Sequence, residues 1–334
     1  VLTLAGWASI IRHFGFGHEG EQEPVAVGYH SIVCVKQVPD TANITSEAMK
    51  DDGTVNRAAL PAVFNPEDLN ALETALEIRE RFGGTVTVLT MGPPKAADVL
   101  RDCLFRGADR AILLTDRRAA ASDTLATSYI LSQAVTTIGR VFSRYDFVFC
   151  GRQAIDGDTA QVGPQCAEKL GLPQITYLEQ IVRLSGDTVV VRRNVGHGWE
   201  IVEARLPVLI TVMGTANEPR PPAARQVMLY KRARVAAELA AEVKQALPEA
   251  SDAEREAEVA RRAADLQGRG LLIDQWDLDR IGADLERCGL SGSPTKVYRV
   301  QSIVLTKSGY KEVAPTEAGI RELIQELVVD HTLG

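Results

Sequence analysis

The residues best placed to do chemistry gather in "FVFCGRQAIDGDTAQVGP", Phe147 to Pro164. An apolar run ends in Gly151, a loop carries Asp156 and Asp158, and Gly157 precedes a helix-like segment. Backbone N–H groups and a helix N-terminus presented this way suit a phosphate or diphosphate and need no lysine. Asp158 or Thr159 is expected to cap that helix, and Asp156 to accept from ribose hydroxyls. The spacing excludes a triphosphate-cradling P-loop, because Gly151 and Gly157 stand one residue too far apart and Asp158 occupies the place of the lysine. Taken alone, the turn leaves an ordinary strand-turn-helix connection open as the alternative.

The elements around this turn must position it. "SIVCVK" reads as a strand buried on both faces, and "NPEDLNALETALEIRERFGG" as a helix with Asn65 at the N-cap, Pro66 in the first turn and Gly83 at the far end. Leu69, Leu72, Leu76 and Phe82 keep near-helical spacing and are expected in the core. "TVTVLTMGPP", a helix from Lys95 to Phe105, "RAILLTD", a helix capped at Ser122 or Asp123 and the strand "YDFVFC" continue the alternation. It implies an α/β fold: a doubly wound, mostly parallel, Rossmann-like sheet. After Leu172 the pattern turns to an antiparallel meander, with Val208 to Val212 returning to the main sheet. Ligands of such sheets lie beyond the carboxyl ends of the strands. Four unusual loops fall there: "CVKQVPDT", "TMGPP", "SDTLAT" and "CGRQAIDGDTAQVGP". They suggest an adenine mono- or dinucleotide site. None carries a nucleophile with its base, so no catalytic residue is assigned and a bound cofactor is expected to do the chemistry.

With 334 residues, 45% of them hydrophobic, the chain is long enough for a sizeable core, and its net charge of −7 argues against nucleic acid as a partner. The five cysteines are scattered without a CxxC pair, so neither a disulfide framework nor a metal site is expected, and the location is read as cytoplasmic. Four segments are expected: an N-terminal extension (1–30), the nucleotide-binding α/β domain (31–235), a charged helical insertion (236–270), and a C-terminal arm (271–334) too thin for its own core that wraps a partner. The apolar start is too short to span a bilayer, and no membrane contact is expected.

"VKQVPDT", "FNPED", "TMGPP", "RGADRA", "GRQAIDGDTAQVGP", "LPQITY" and "LPVLITV" resemble, in order, the beta subunit of electron-transfer flavoprotein over about Ser31 to Val235. The resemblance implies a heterodimer with an FAD-carrying alpha subunit, on which the arm packs. Carried over by position, cofactor contacts fall on Cys34, Val35, Lys36, Phe64, Asn65, Pro66, Glu67, Met91 and Gly92. They continue on Asp123, Thr124, Ala126 and Thr127, then Gly151, Arg152, Gln153, Asp156, Gly157, Asp158, Thr159, Ala160, Gln161 and Val162. Arg152 is expected to be the cation nearest the cofactor. Thr215, Ala216, Asn217, Glu218, Pro219 and Arg220 match the recognition loop for acyl-CoA dehydrogenase-type flavoenzymes, with Ala216 where a leucine anchor is familiar. "DGDTAQVGP" is similar to the electron-bifurcating branch, which implies an FAD that takes hydride from NADH and feeds a ferredoxin-type low-potential acceptor as well as the alpha-subunit FAD. The alternatives are a non-bifurcating subunit holding structural AMP, whose loop reads more like "DDDCNQTG", and a universal-stress-type nucleotide-binding module.

Overall fold

A computed structural model describes residues 28–40, 61–295 and 312–329. Two compact units are present, the first two stretches belonging to the larger and the third to the smaller. The N-terminal extension before Gly28 lies outside the described residues. In the larger unit, β1 (Tyr29–Cys34) leads to β2 (Gln37–Pro39), which pairs antiparallel with β3 (Ala62–Phe64). Then come α1 (Pro66–Phe82), β4 (Gly84–Met91), α2 (Ala97–Arg106), β5 (Arg110–Leu114), α3 (Thr124–Val141), β6 (Phe147–Gly151) and α4 (Val162–Leu170). The strands β7 (Gln174–Ser185), β8 (Thr188–Asn194), β9 (Trp199–Arg205) and β10 (Val208–Val212) follow. After them come α5 (Ala224–Tyr230), α6 (Ala236–Ala246), α7 (Asp252–Gly268) and β11 (Asp274–Trp276).

The main sheet runs β11-β5-β4-β1-β6-β10-β7-β8-β9, parallel from β11 through β7 and antiparallel in the β7-β8-β9 meander. From β1 the chain builds outward through β4 and β5, then crosses back to β6 on the other side. The space above β1 and β6 is therefore a topological switch point, where open α/β sheets bind ligands. Alternation along β1 explains the layers: Val33 packs on the α1/α2 face and Ile32 on the α3/α4 face, both fully buried. Doubly covered parallel strands need apolar residues on both sides, which "SIVCV" supplies.

Several expectations change in detail. Leu72 and Leu76 are core residues, but Leu69 and Phe82 are only half-buried, because α1 also buries Asp68, Asn70 and Glu73. The helix expected from Lys95 begins at Ala97, after a 3-10 turn over Pro94–Ala96. The charged stretch expected at 236–270 is two helices whose flanks are joined, Arg234 N donating to Leu271 O at 3.0 Å and Ile273 N to Arg234 O at 2.8 Å. Leu239 and Val243 of α6 are buried, whereas α7 buries nothing. The arm expected from 271 does not begin free of the body: β11 extends the sheet beside β5, and Leu271, Ile273, Trp276, Leu278 and Ile281 are buried.

In the smaller unit α8 (Glu317–Val329) replaces the helix expected at Pro315 to Leu327. Ile320, Leu323, Ile324, Leu327 and Val328 recur at the spacing of one helix face. None of them is buried.

Candidate functional site

A cleft of about 380 Å³ opens at the switch point, within the roughly 300–1,000 Å³ range of small-ligand sites. The expected residues that line it are Cys34, Val35 and Lys36 after β1, Met91 at the end of β4, and Asp123, Thr124 and Thr127 at the start of α3. Gly151, Arg152, Gln153, Asp156, Gly157, Thr159, Ala160, Gln161 and Val162 join them from the loop between β6 and α4. Phe64, Asn65, Pro66, Glu67, Gly92, Ala126 and Asp158 do not line it. Asp68, Leu89, Ser122, Leu131, Cys150, Ala154 and Gly163 line it without having been expected.

The "NPED" residues hold the cleft's loop from behind. Asn65 occupies the N-cap position of α1, but its side chain makes no cap bond. It accepts instead from Ile155 N at 3.1 Å and donates to Gln153 O at 2.9 Å. Glu67 accepts from Gln153 N at 3.0 Å and pairs with Arg152 at 3.1 Å. The Arg152 guanidinium, expected beside a cofactor, is thus matched to a carboxylate of the protein. Lys36 and Asp156 form a second pair across the cleft, at 2.7 Å.

Asp68 joins the two central strands. One oxygen accepts from Lys36 N at 2.8 Å, just past β1, and the other from Gly151 N at 3.0 Å, at the end of β6. Burial pushes this carboxyl from 3.8 up to about 7, against the pull of the Asn65 side chain, the two amides and the Lys36 charge. A raised acid holds its proton in the folded chain over a window where the unfolded chain has released it. The stability it contributes is therefore present below about pH 4 and lost as pH rises through about 7. Relative to Asp68→Asn, the wild type is expected to lose about 1–4 kcal/mol of stability between about pH 5 and pH 8. Urea unfolding of both proteins at each pH measures this, and a constant difference would show that Asp68 titrates lower.

The loop between β6 and α4 has an unusual backbone. Asp158 and Ala160 take positive φ of 48° and 52°, and Ala121, in the loop before α3, takes 59°. Such conformations cost about 1–2 kcal/mol for residues other than glycine and persist only where the surroundings fix them. Here Gly157 N and Asp158 N both donate to Ala154 O, and Gln153 Nε2 donates to the Asp158 carboxylate at 2.9 Å. Neither Asp158 nor Thr159 caps the next helix, as had been expected; Gln161 is the N-cap residue, and its side chain makes no cap bond. Thr124 Oγ1 donates to Gln161 Oε1 instead, tying the starts of α3 and α4 together. The amides of Thr159 to Gly163 donate to no protein acceptor among the described residues. Left- and right-handed residues in succession, Ala160 then Gln161, turn successive N–H groups toward one concavity, which suits an anion. A side chain at Gly157 would meet nothing within 4 Å.

Asp123 caps α3 as expected, accepting from Ala126 N at 3.0 Å, and Thr295 N holds its other oxygen at 3.0 Å. The stretch Thr215 to Arg220 lies along α1, away from the cleft lining. Asn217 Nδ2 donates to Thr74 Oγ1 at 2.9 Å, Asn70 Nδ2 donates to Asn217 O at 2.8 Å, and Arg220 pairs with Glu73 at 2.8 Å. Ala216 packs against the core, while Thr215 and Glu218 are exposed. Among the described residues no cluster of His, Cys, Asp or Glu is arranged to hold a metal ion, and no helix is long and apolar enough to cross a membrane.

The family model for the electron transfer flavoprotein domain matches residues 52–242. Protein FixA of Azorhizobium caulinodans is 42% identical over 304 residues, covering 89% of this chain and 94% of its own. Electron transfer flavoprotein subunit beta of Clostridium acetobutylicum is 37% identical over 300 residues, 90% and 98% of the two chains. The acryloyl-CoA reductase electron transfer subunit gamma of Anaerotignum propionicum is 50% identical over 189 residues, 56% and 69% of the two chains.

Proposed function

The chain belongs to the electron transfer flavoprotein family as a beta-type subunit, and on that premise we propose that its cleft holds an FAD able to accept hydride from NADH. In this reading the electrons divide between a ferredoxin-type low-potential acceptor and the FAD of an alpha subunit serving an acyl-CoA dehydrogenase-type flavoenzyme. The observation that carries the reading is the run of amides from Thr159 to Gly163 that meet no acceptor among the described residues, beside the open space at Gly157. Those amides suit a diphosphate, and the missing side chain leaves room past the point where AMP would end. The isoalloxazine would supply the redox chemistry.

The chain's own residues bind and shape. Leu89, Met91 and Leu131 offer an apolar lining for a ring system. The Lys36–Asp156 and Arg152–Glu67 pairs leave the diphosphate to neutral amide donors rather than to a free cation. An electron-transfer subunit of a reductase acting on an acyl-CoA, at 50% identity, supports the partner class. Residues 215–220, held on α1 with Thr215 and Glu218 exposed, form the proposed docking loop for that flavoenzyme. The exposed apolar stripe of α8 supports an arm that packs on the alpha subunit. The family match leaves the universal-stress reading without support.

The test is to denature the purified heterodimer and count released nucleotides. A second FAD and no AMP are expected, with NADH bleaching the flavin band in stopped flow when no acyl-CoA dehydrogenase is present. One AMP beside a single FAD would establish the AMP-holding alternative in its place, and a complex with two FADs that NADH fails to bleach would overturn the hydride-accepting role.

A further inference from the structure

Two thiols stand side by side at the base of the cleft. Cys34 ends β1 and Cys150 lies in β6, one residue beyond the paired positions Val33 and Phe149. Adjacent strands lie about 4.7–4.9 Å apart, inside the roughly 4.4–6.8 Å between Cα atoms that a disulfide spans. Both side chains point to the same face, both line the cleft, and they retain 9% and 7% exposure respectively. A third thiol, Cys166, is 1% exposed, donates to Ser128 O at 3.5 Å and does not line the cleft.

We propose that Cys34 and Cys150 form a thiol-modification site, a vicinal dithiol that low-molecular-weight disulfides oxidise to a cross-strand disulfide when the cleft is empty and that a bound nucleotide shields. The hydrogen bond to Cys34 and burial together push the Cys150 thiol well above the usual thiol range. Cys34, at the end of β1 and slightly the more exposed of the two, is the sulfur that meets the reagent first. In the first step the Cys34 sulfur displaces one thiol from the reagent, leaving a mixed disulfide on Cys34, and its proton passes to the departing sulfur. In the second, Cys150 attacks the Cys34 sulfur, its proton goes to the second departing thiol, and the bridge closes. Two protein thiols are oxidised and one reagent disulfide is reduced to two thiols. The bridge would fasten the ends of β1 and β6 to one another across the floor where a ligand would rest.

The shielding half of this inference rests on the nucleotide reading of the cleft. The full chain, purified with any subunit it brings and desalted, is incubated with oxidised glutathione with and without FAD or AMP, then digested without reduction for mass spectrometry. The expected product has lost two hydrogens and yields a Cys34–Cys150 linked peptide, while Cys150→Ser stops at a glutathione adduct on Cys34. With nucleotide at about ten times its Kd the rate of linkage falls about tenfold. No linkage in the desalted wild type, or linkage through Cys103, Cys166 or Cys288 instead, overturns the dithiol. Linkage at Cys34–Cys150 that neither nucleotide slows supports the dithiol and overturns the nucleotide reading.

Discussion

Gly151→Ala is expected to destabilise the chain by about 3–6 kcal/mol, from overpacking and a severed charged hydrogen bond together. A Cβ built at Gly151 would lie 2.5 Å from Asp68 Oδ1, 2.7 Å from Glu67 C and 2.8 Å from Asp68 N. Two of those three atoms are backbone at the start of α1, which Asn65, Glu67 and Asp68 bind to the loop after β6, so neither side has room to yield. Relief requires α1 to lift from the end of β6, which breaks the 3.0 Å bond from Gly151 N to Asp68. It also strains the Glu67 and Asn65 contacts to Gln153 and Ile155. Domains of this kind have only about 5–15 kcal/mol in total. Urea unfolding of the heterodimer reads the loss directly. A variant within about 0.5 kcal/mol of wild type, the range of an ordinary surface substitution, would show that α1 and β6 are not locked together here.

The same contact shows what a sequence displays and what it withholds. The alternation that yields parallel strands and crossover helices is local, so β1, β4, β5, β6 and the intervening helices are readable from hydrophobic runs and their punctuation. The glycine-aspartate stretch is readable as a loop before a helix, but its conformation is not, because positive φ falls on Asp158 and Ala160 rather than on Gly157. "NPED" reads as a helix start, and Pro66 does open α1. Asn65 and Asp68, however, answer to amides far along the chain. Asp68 binds Lys36 N and Gly151 N, 32 and 83 residues away. Capping rules assign a polar side chain to its own helix, and buried strand ends that lack acceptors compete for it only once the sheet order has placed them there. The Cys34–Cys150 pair is hidden for the same reason, since it exists only because β1 and β6 are neighbours across the switch point. At the sheet's edge, Asp274–Trp276 is three residues long. Nothing in so short a run separates a strand from a loop, and its place was settled by the apolar surface beside β5 that Trp276 and Leu278 cover.

Gly157→Asp is expected to separate ligand binding from folding. The fold has space for the change: nothing lies within 4 Å of a Cβ at Gly157, and its φ is outside the range that only glycine favours. Stability should therefore stay within about 0.5 kcal/mol of wild type. The proposed diphosphate would not be so tolerant. The substitution places a third carboxylate between Asp156 and Asp158, beside the amides of Thr159 to Gly163, and Lys36, the lysine that lines the cleft among the described residues, is already paired with Asp156 at 2.7 Å. A partly solvated like charge at such a site weakens binding by about 1–3 kcal/mol, roughly five- to a hundred-and-fiftyfold in Kd. FAD content of this subunit should fall while the flavin of the alpha subunit stays, as read by flavin released per heterodimer and by equilibrium dialysis with added FAD. AMP, which the related loops with an aspartate at this place are expected to hold, should suffer less than FAD. Retention of both flavins by a well-folded variant would place the diphosphate elsewhere. Loss of both together would mean that the substitution acts through the fold, and the open space at Gly157 would then have to be closed in the assembled protein.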